Sequence, residues 1–183
     1  MRTRGASVIA DRRNKYNRGY WSMKKYSYGG ARALVALHDQ HMRSLLETWR
    51  KAKKTGIVLP ESSDPAYKSL DTLLRHPLKS SRGYIIWICQ KLELPDPGID
   101  PVPEIENIEQ SAEKFLEHLL KRWQLPLCDV PEERFFDRTY ISTWDVEYCI
   151  EGMLEHAVMH PIRHEFQLVN LMRAHEEKKR RIG

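Results

Sequence analysis

The chain lacks most of the features that settle a function quickly. No apolar run is longer than a few residues, so no stretch of the sequence can span a membrane. The basic first residues contain no apolar segment, so no signal peptide is expected. Cysteine is scarce. Cys89, Cys128 and Cys149 are an odd number without CxxC spacing, which does not suggest a disulfide framework or a zinc knuckle. Two of the three fall inside expected helices and read as buried thiols, and a reducing, cytoplasmic location follows as the expectation. A phosphate-binding GxxxxGK[ST] loop, a GxGxxG after a strand and a GxSxG elbow are all missing. HExxH fails as well, because Leu168 stands where the second histidine should follow His164 and Glu165. No histidine has a glutamate three residues before it, which removes the Glu-x-x-His pairs of di-iron bundles. Repeats, low-complexity segments and alternating strand patterns are also absent.

What is present fits one folded unit. At 183 residues, 41% hydrophobic and 30% charged, the chain is long enough for a full core. The net charge of +5 is concentrated at one end. Residues 1–22 hold six cations (Arg2, Arg4, Arg12, Arg13, Lys15, Arg18) against Asp11, and the other 161 residues balance 24 basic with 24 acidic side chains. A basic chain invites a nucleic-acid reading. Here the excess lies on a short arm and the body is neutral, so nucleic-acid binding is not expected. The arm is expected to be disordered, or to precede a translation start at Met23, with one domain over 23–183.

Four helical stripes follow. The first runs from Ala31 to Lys53 on Leu34, Leu37, His41, Leu45 and Trp49, and Gly56 stops it. The second is predicted to start at Asp64-Pro65 and to carry Tyr67, Leu70, Leu73, Leu74, Leu78, Ile85 and Ile88. Pro77 should kink or break it after His76. After the rigid loop 95–103, a third helix over Glu104 to Gln124 shows the cleanest pattern, with Ile108, Ala112, Phe115, Leu119 and Trp123. The fourth is predicted to open near Trp144, capped by Ser142 or Thr143, and to end in a charged tail over Glu176 to Gly183. The fold class is all-α, an up-and-down four-helix bundle.

The fourth stripe carries the chemistry. Val146, Ile150, Met153, Ala157, His160, His164, Gln167 and Leu171 fall on one face. Its middle should be apolar, yet it holds His160, His164 and Gln167. An unpaired polar group on a buried face costs about 1–3 kcal/mol. Histidines four apart lie one turn apart, so their rings can converge, and the economical partner for two converging neutral imidazoles is a metal ion. Pro161 between them is expected to bend the helix. A catalytic site of this kind needs a third ligand from another helix. Spacing alone leaves His76, His38, His41, His118 and His156 as candidates. No acid or base stands out, since Glu155 and Glu165, adjacent to other site residues, should point away from them.

At this point two motifs resemble a family. His156, His160, His164 and Gln167 form H-x3-H-x3-H-x2-Q, preceded by Thr143-Trp144. Leu73-Leu74-Arg75-His76 is followed by Tyr84-Ile85-Ile86-Trp87. Over roughly residues 30–173 the chain resembles the DinB-like superfamily of four-helix proteins, which includes YfiT-type proteins described as metal-dependent hydrolases. Pro77 and Pro161, each directly after a proposed ligand, depart from the family's pattern. The resemblance implies His76, His160 and His164 as metal ligands, with Gln167 and His156 beside them or lining the pocket. It implies a divalent ion (zinc, nickel or iron) and a small-molecule substrate. Because the family includes thiol-dependent transferases and a thiol-dependent isomerase, it implies thiol transfer or hydrolysis, with a low-molecular-weight thiol as one candidate substrate. The alternative is a non-catalytic metal-binding or stress-related bundle, which could pair as a homodimer.

Overall fold

The computed structural model describes residues 25–182, so the basic arm over 1–22 and Met23 lie outside the described residues. Four α-helices account for most of the described chain: α1 (Gly29–Thr55), α2 (Leu70–Lys91), α3 (Ile108–Trp123) and α4 (Ile150–Ile182). Short 3-10 turns at Pro65–Tyr67, Ile105–Asn107 and Glu132–Phe135 join them. A two-residue hairpin, β1 (Tyr140–Ile141) against β2 (Glu147–Tyr148), pairs Tyr140 with Tyr148. The all-α class holds. No helix among the described residues is long and apolar enough to cross a membrane.

In α1 the buried positions Ala31, Val35, His38, Met42, Leu45, Trp49 and Ala52 recur every three or four residues. This corrects the expected face. Leu37 is 40% exposed and His41 half-buried, while His38 takes the inward place. Leu34 still packs partly buried against the core, but Leu37 does not, and the small Ala31 and Ala52 fix the true phase. Gly56 ends the helix at φ 70°, a backbone angle that suits glycine, and its N–H donates to the Lys53 carbonyl.

The second helix starts later than expected. Asp64 and Pro65 open only a 3-10 turn, in which the Asp64 carboxylate accepts from the Ala66 N–H at 2.9 Å. The start of α2 is a reciprocal box. The Ser69 hydroxyl accepts from the Thr72 N–H at 3.1 Å, and the Thr72 hydroxyl accepts from the Ser69 N–H at 2.9 Å. A helix runs through Pro77 without a break. The proline is itself buried, and its neighbours Leu73, Leu74 and Leu78 are fully packed, so burial on both sides outweighs the lost hydrogen bond.

The largest departure is at the fourth helix. Residues 142–149 form the hairpin turn and return strand, and α4 begins only at Ile150. Ser142 does cap, but it caps the turn: its hydroxyl accepts from the Val146 N–H at 3.1 Å, and its own N–H donates to the Val146 carbonyl at 2.8 Å. Asp145 sits at φ 59°. Such an angle cannot continue a right-handed helix. Trp144 and Val146 are accordingly exposed rather than part of a buried stripe, and Cys149 precedes the helix instead of lying within it. At its other end α4 continues to Ile182, so the charged residues expected as a tail are a solvated helical end. Pro161 lies within α4 without breaking it.

The core is built around Trp49, Trp123, Phe135 and Met42, with leucines and isoleucines from all four helices. Cys89 and Cys128 are buried, Cys149 is half-buried, and all three are free thiols.

Candidate metal centre

His76 comes from α2, and His160 and His164 from successive turns of α4. Their Nε2 atoms converge. His76 Nε2 lies 3.0 Å from His160 Nε2, and His164 Nε2 lies 3.3 Å from His160 Nε2. The three rings meet edge to face with centroids 4.8 to 5.2 Å apart. Of the five candidates for a third ligand, the fold brings His76 to the pair. Pro161 does not spoil the convergence of the histidines on either side of it.

The three nitrogens cannot all be satisfied by one another's hydrogens. The side-chain oxygen of Gln167 accepts from the Tyr67 hydroxyl at 2.6 Å and lies 3.2 Å from His164 Nδ1. An amide oxygen only accepts, so the His164 proton sits on Nδ1 and its Nε2 presents a lone pair. His160 Nε2 therefore faces one lone pair at His164 and a second nitrogen at His76. One ring hydrogen cannot point along both lines. A single cation accepts all three lone pairs at once. An ion held about 2.0–2.1 Å from three nitrogens in tetrahedral geometry sets them roughly 3.3 Å apart. The 3.0 and 3.3 Å contacts are close to that spacing on two edges, and all three ligand atoms lie within 4.8 Å of one another.

Electrostatics favour the same state. Burial holds His160 far below the usual imidazole range, and the neighbouring His164 and His76 push it the same way. Burial and His76 lower His164 to about 4, against the opposing bond to Gln167. Burial also lowers His76, against the pull of the Asp64 carboxylate. All three are neutral near pH 7, which is the form that binds metal. Together the three side chains lie close enough to hold a metal ion.

The other expected residues divide clearly. Gln167 is exposed rather than on a buried stripe, and its side-chain oxygen lies 3.2 Å from His164 Nδ1. His156 does not reach the cluster centre. Its Nε2 lies 3.2 Å from the Tyr84 hydroxyl and its Nδ1 3.5 Å from the Tyr148 hydroxyl. Burial lowers its pKa too. His38 belongs to the core: it stacks on Trp123 at 4.0 Å, its Nε2 is 3.0 Å from the Ser81 hydroxyl, and its Nδ1 is buried without a hydrogen bond. His41 is half-buried on α1. His118 accepts from the Asp100 N–H at 3.2 Å. Glu165 does point away, as expected, but into a specific contact. Its Oε1 accepts from Ser44 at 2.6 Å and Thr48 at 3.0 Å, tying α4 to α1.

Sequence reasoning missed the contacts made around the three histidines. Tyr67, read as part of a helical stripe, instead reaches Gln167 from a 3-10 turn a hundred residues away. Trp144, Tyr84 and Tyr148 gather around His156. No spacing rule could have joined these positions, since each contact depends on where a loop or hairpin returns.

Compared with family models, curated proteins and solved structures, the chain has no match in any of the three.

Proposed function

We propose that the chain is a divalent-metal-dependent protein of the DinB-like type, with His76, His160 and His164 as ligands, which catalyses thiol transfer or hydrolysis. One observation carries this reading: three neutral imidazoles from two helices bring their ring nitrogens within 4.8 Å of one another. The four helices are compatible with the up-and-down bundle of that superfamily, and both of its sequence motifs contribute to the cluster. A three-imidazole donor set suits zinc, nickel or iron. When bound, a divalent ion would supply Lewis acidity, enough to favour the deprotonated form of water or a thiol near pH 7.

The chain's own residues have distinct tasks. Gln167 fixes the tautomer and aim of His164, and Tyr67 fixes Gln167 in turn. Burial keeps all three imidazoles neutral. A low-molecular-weight thiol is the first substrate class to test. The decisive experiment is a thiol-transfer and hydrolysis screen on metal-loaded protein. Turnover that is lost in His76→Ala supports the enzyme; turnover that survives His76→Ala contradicts it.

A second reading has its own support. Glu165 is committed to Ser44 and Thr48, and no carboxylate makes a hydrogen bond or ion pair with the three histidines among the described residues. That favours a non-catalytic, metal-stabilised bundle. Stoichiometric metal without turnover in the same screen would select it.

A further inference from the structure

We propose that Tyr84, Tyr148, His156 and Trp144 form an aromatic wall beside the three histidines that receives a planar, aromatic part of the ligand, while the ligand's anionic donor is directed at the histidines. This rests on the metal reading above and adds the ligand class to it.

The wall is continuous with the site. The Tyr84 ring stands edge to face with His160 at 5.8 Å, and the His156 ring lies nearly parallel to His160 at 6.2 Å. Trp144 then stacks on His156 at 5.5 Å and meets Tyr84 and Tyr148 at 6.0 and 5.8 Å. These are the offset and edge-to-face spacings at which aromatic groups attract one another. Exposure grades outward along the wall. Tyr84 is buried, His156 and Tyr148 are half-buried, and Trp144 is 41% exposed.

His156 serves the wall rather than the ion. A neutral imidazole has one hydrogen and one ring lone pair, and both of its nitrogens face phenol oxygens. One tyrosine donates to it and the other accepts from it, which holds both phenols in place. Trp144 is fixed separately, on the hairpin turn secured by the Ser142–Val146 bonds. A large apolar ring held in an ordered turn and partly open to solvent is a ready recognition surface. Tyr67 and Gln167, which also neighbour His164, are polar. A ligand with both a polar donor and a planar apolar group matches these surroundings.

The test compares acetohydroxamate with benzohydroxamate on zinc-loaded protein by calorimetry. Both carry the same donor and only the second carries a ring. Wild-type protein is expected to bind the aromatic probe roughly fivefold or more tightly. Trp144→Ala should bring that ratio to about one without changing acetohydroxamate affinity, and Trp144→Phe should keep most of it. Unchanged acetohydroxamate affinity also shows that the substituted protein is folded. Equal wild-type affinities, an undiminished ratio in Trp144→Ala, or failure of both probes to bind would overturn the wall. Zinc titration without probe separates the two levels. If zinc binds and is lost in His160→Ala, the metal site stands although the wall has failed; if zinc does not bind, both fall.

Discussion

The Nε2 atoms of His76 and His160 lie 3.0 Å apart, although the residues sit on different helices and 84 positions apart in sequence. That contact joins α2 to α4 through two imidazoles that are both uncharged near neutral pH. A ligand that accepts both lone pairs should therefore stabilise the fold.

Zinc at about a hundred times its dissociation constant is expected to add roughly 2.7 kcal/mol, or about 5–10 °C in Tm for a domain of this size. Thermal unfolding with and without zinc measures it. His160→Ala should abolish the shift while keeping the helical circular dichroism.

Gln167 and Tyr67 form a chain leading to His164. Gln167→Ala should weaken zinc affinity about 10–100-fold, the usual effect of removing an outer partner of a ligating histidine. Tyr67→Phe should act in the same direction but less strongly. Competition against a chromophoric chelator reads both.

Much of this was legible in sequence, and the limits have physical causes. The inward phase of His160 and His164 could be read because helical periodicity is local. The selection of His76 needed the motif resemblance, since spacing on one helix says nothing about which residue of another helix faces it. The start of α4 was misread because Ser142-x-x-Asp145 has the form of a helix cap. Asp145 at φ 59° turns the chain back into a hairpin instead. Pro77 was expected to kink or break its helix and Pro161 to bend its own, and both helices continue unbroken through their prolines. The tyrosines around the site could not be found by any periodic rule.

His38 gives the pH dependence a defined sign. Burial lowers its pKa from the usual imidazole value to about 3. Between about pH 6.5 and 3 the unfolded chain therefore binds a proton that the folded chain does not. Stability is expected to be fully present above that window and to fall as the pH drops through it. His38→Gln should make the fall shallower, by up to about 1.4 kcal/mol per pH unit. Urea midpoints of metal-free protein at pH 5 and 7.5 provide the comparison, and identical slopes would contradict the assignment.

Glu165 separates stability from metal binding. Its Oε1 holds Ser44 and Thr48 on α1. Glu165→Ala should cost about 1–3 kcal/mol in denaturant unfolding while leaving zinc stoichiometry unchanged.

The most direct test of the metal centre is elemental analysis of untagged protein after equilibration with zinc, nickel or iron and removal of loose ions. The expected result is about one divalent ion per chain, lost in His76→Ala, His160→Ala and His164→Ala. Wild-type protein without bound metal, or variants that keep the full complement, would contradict a metal centre at these three histidines.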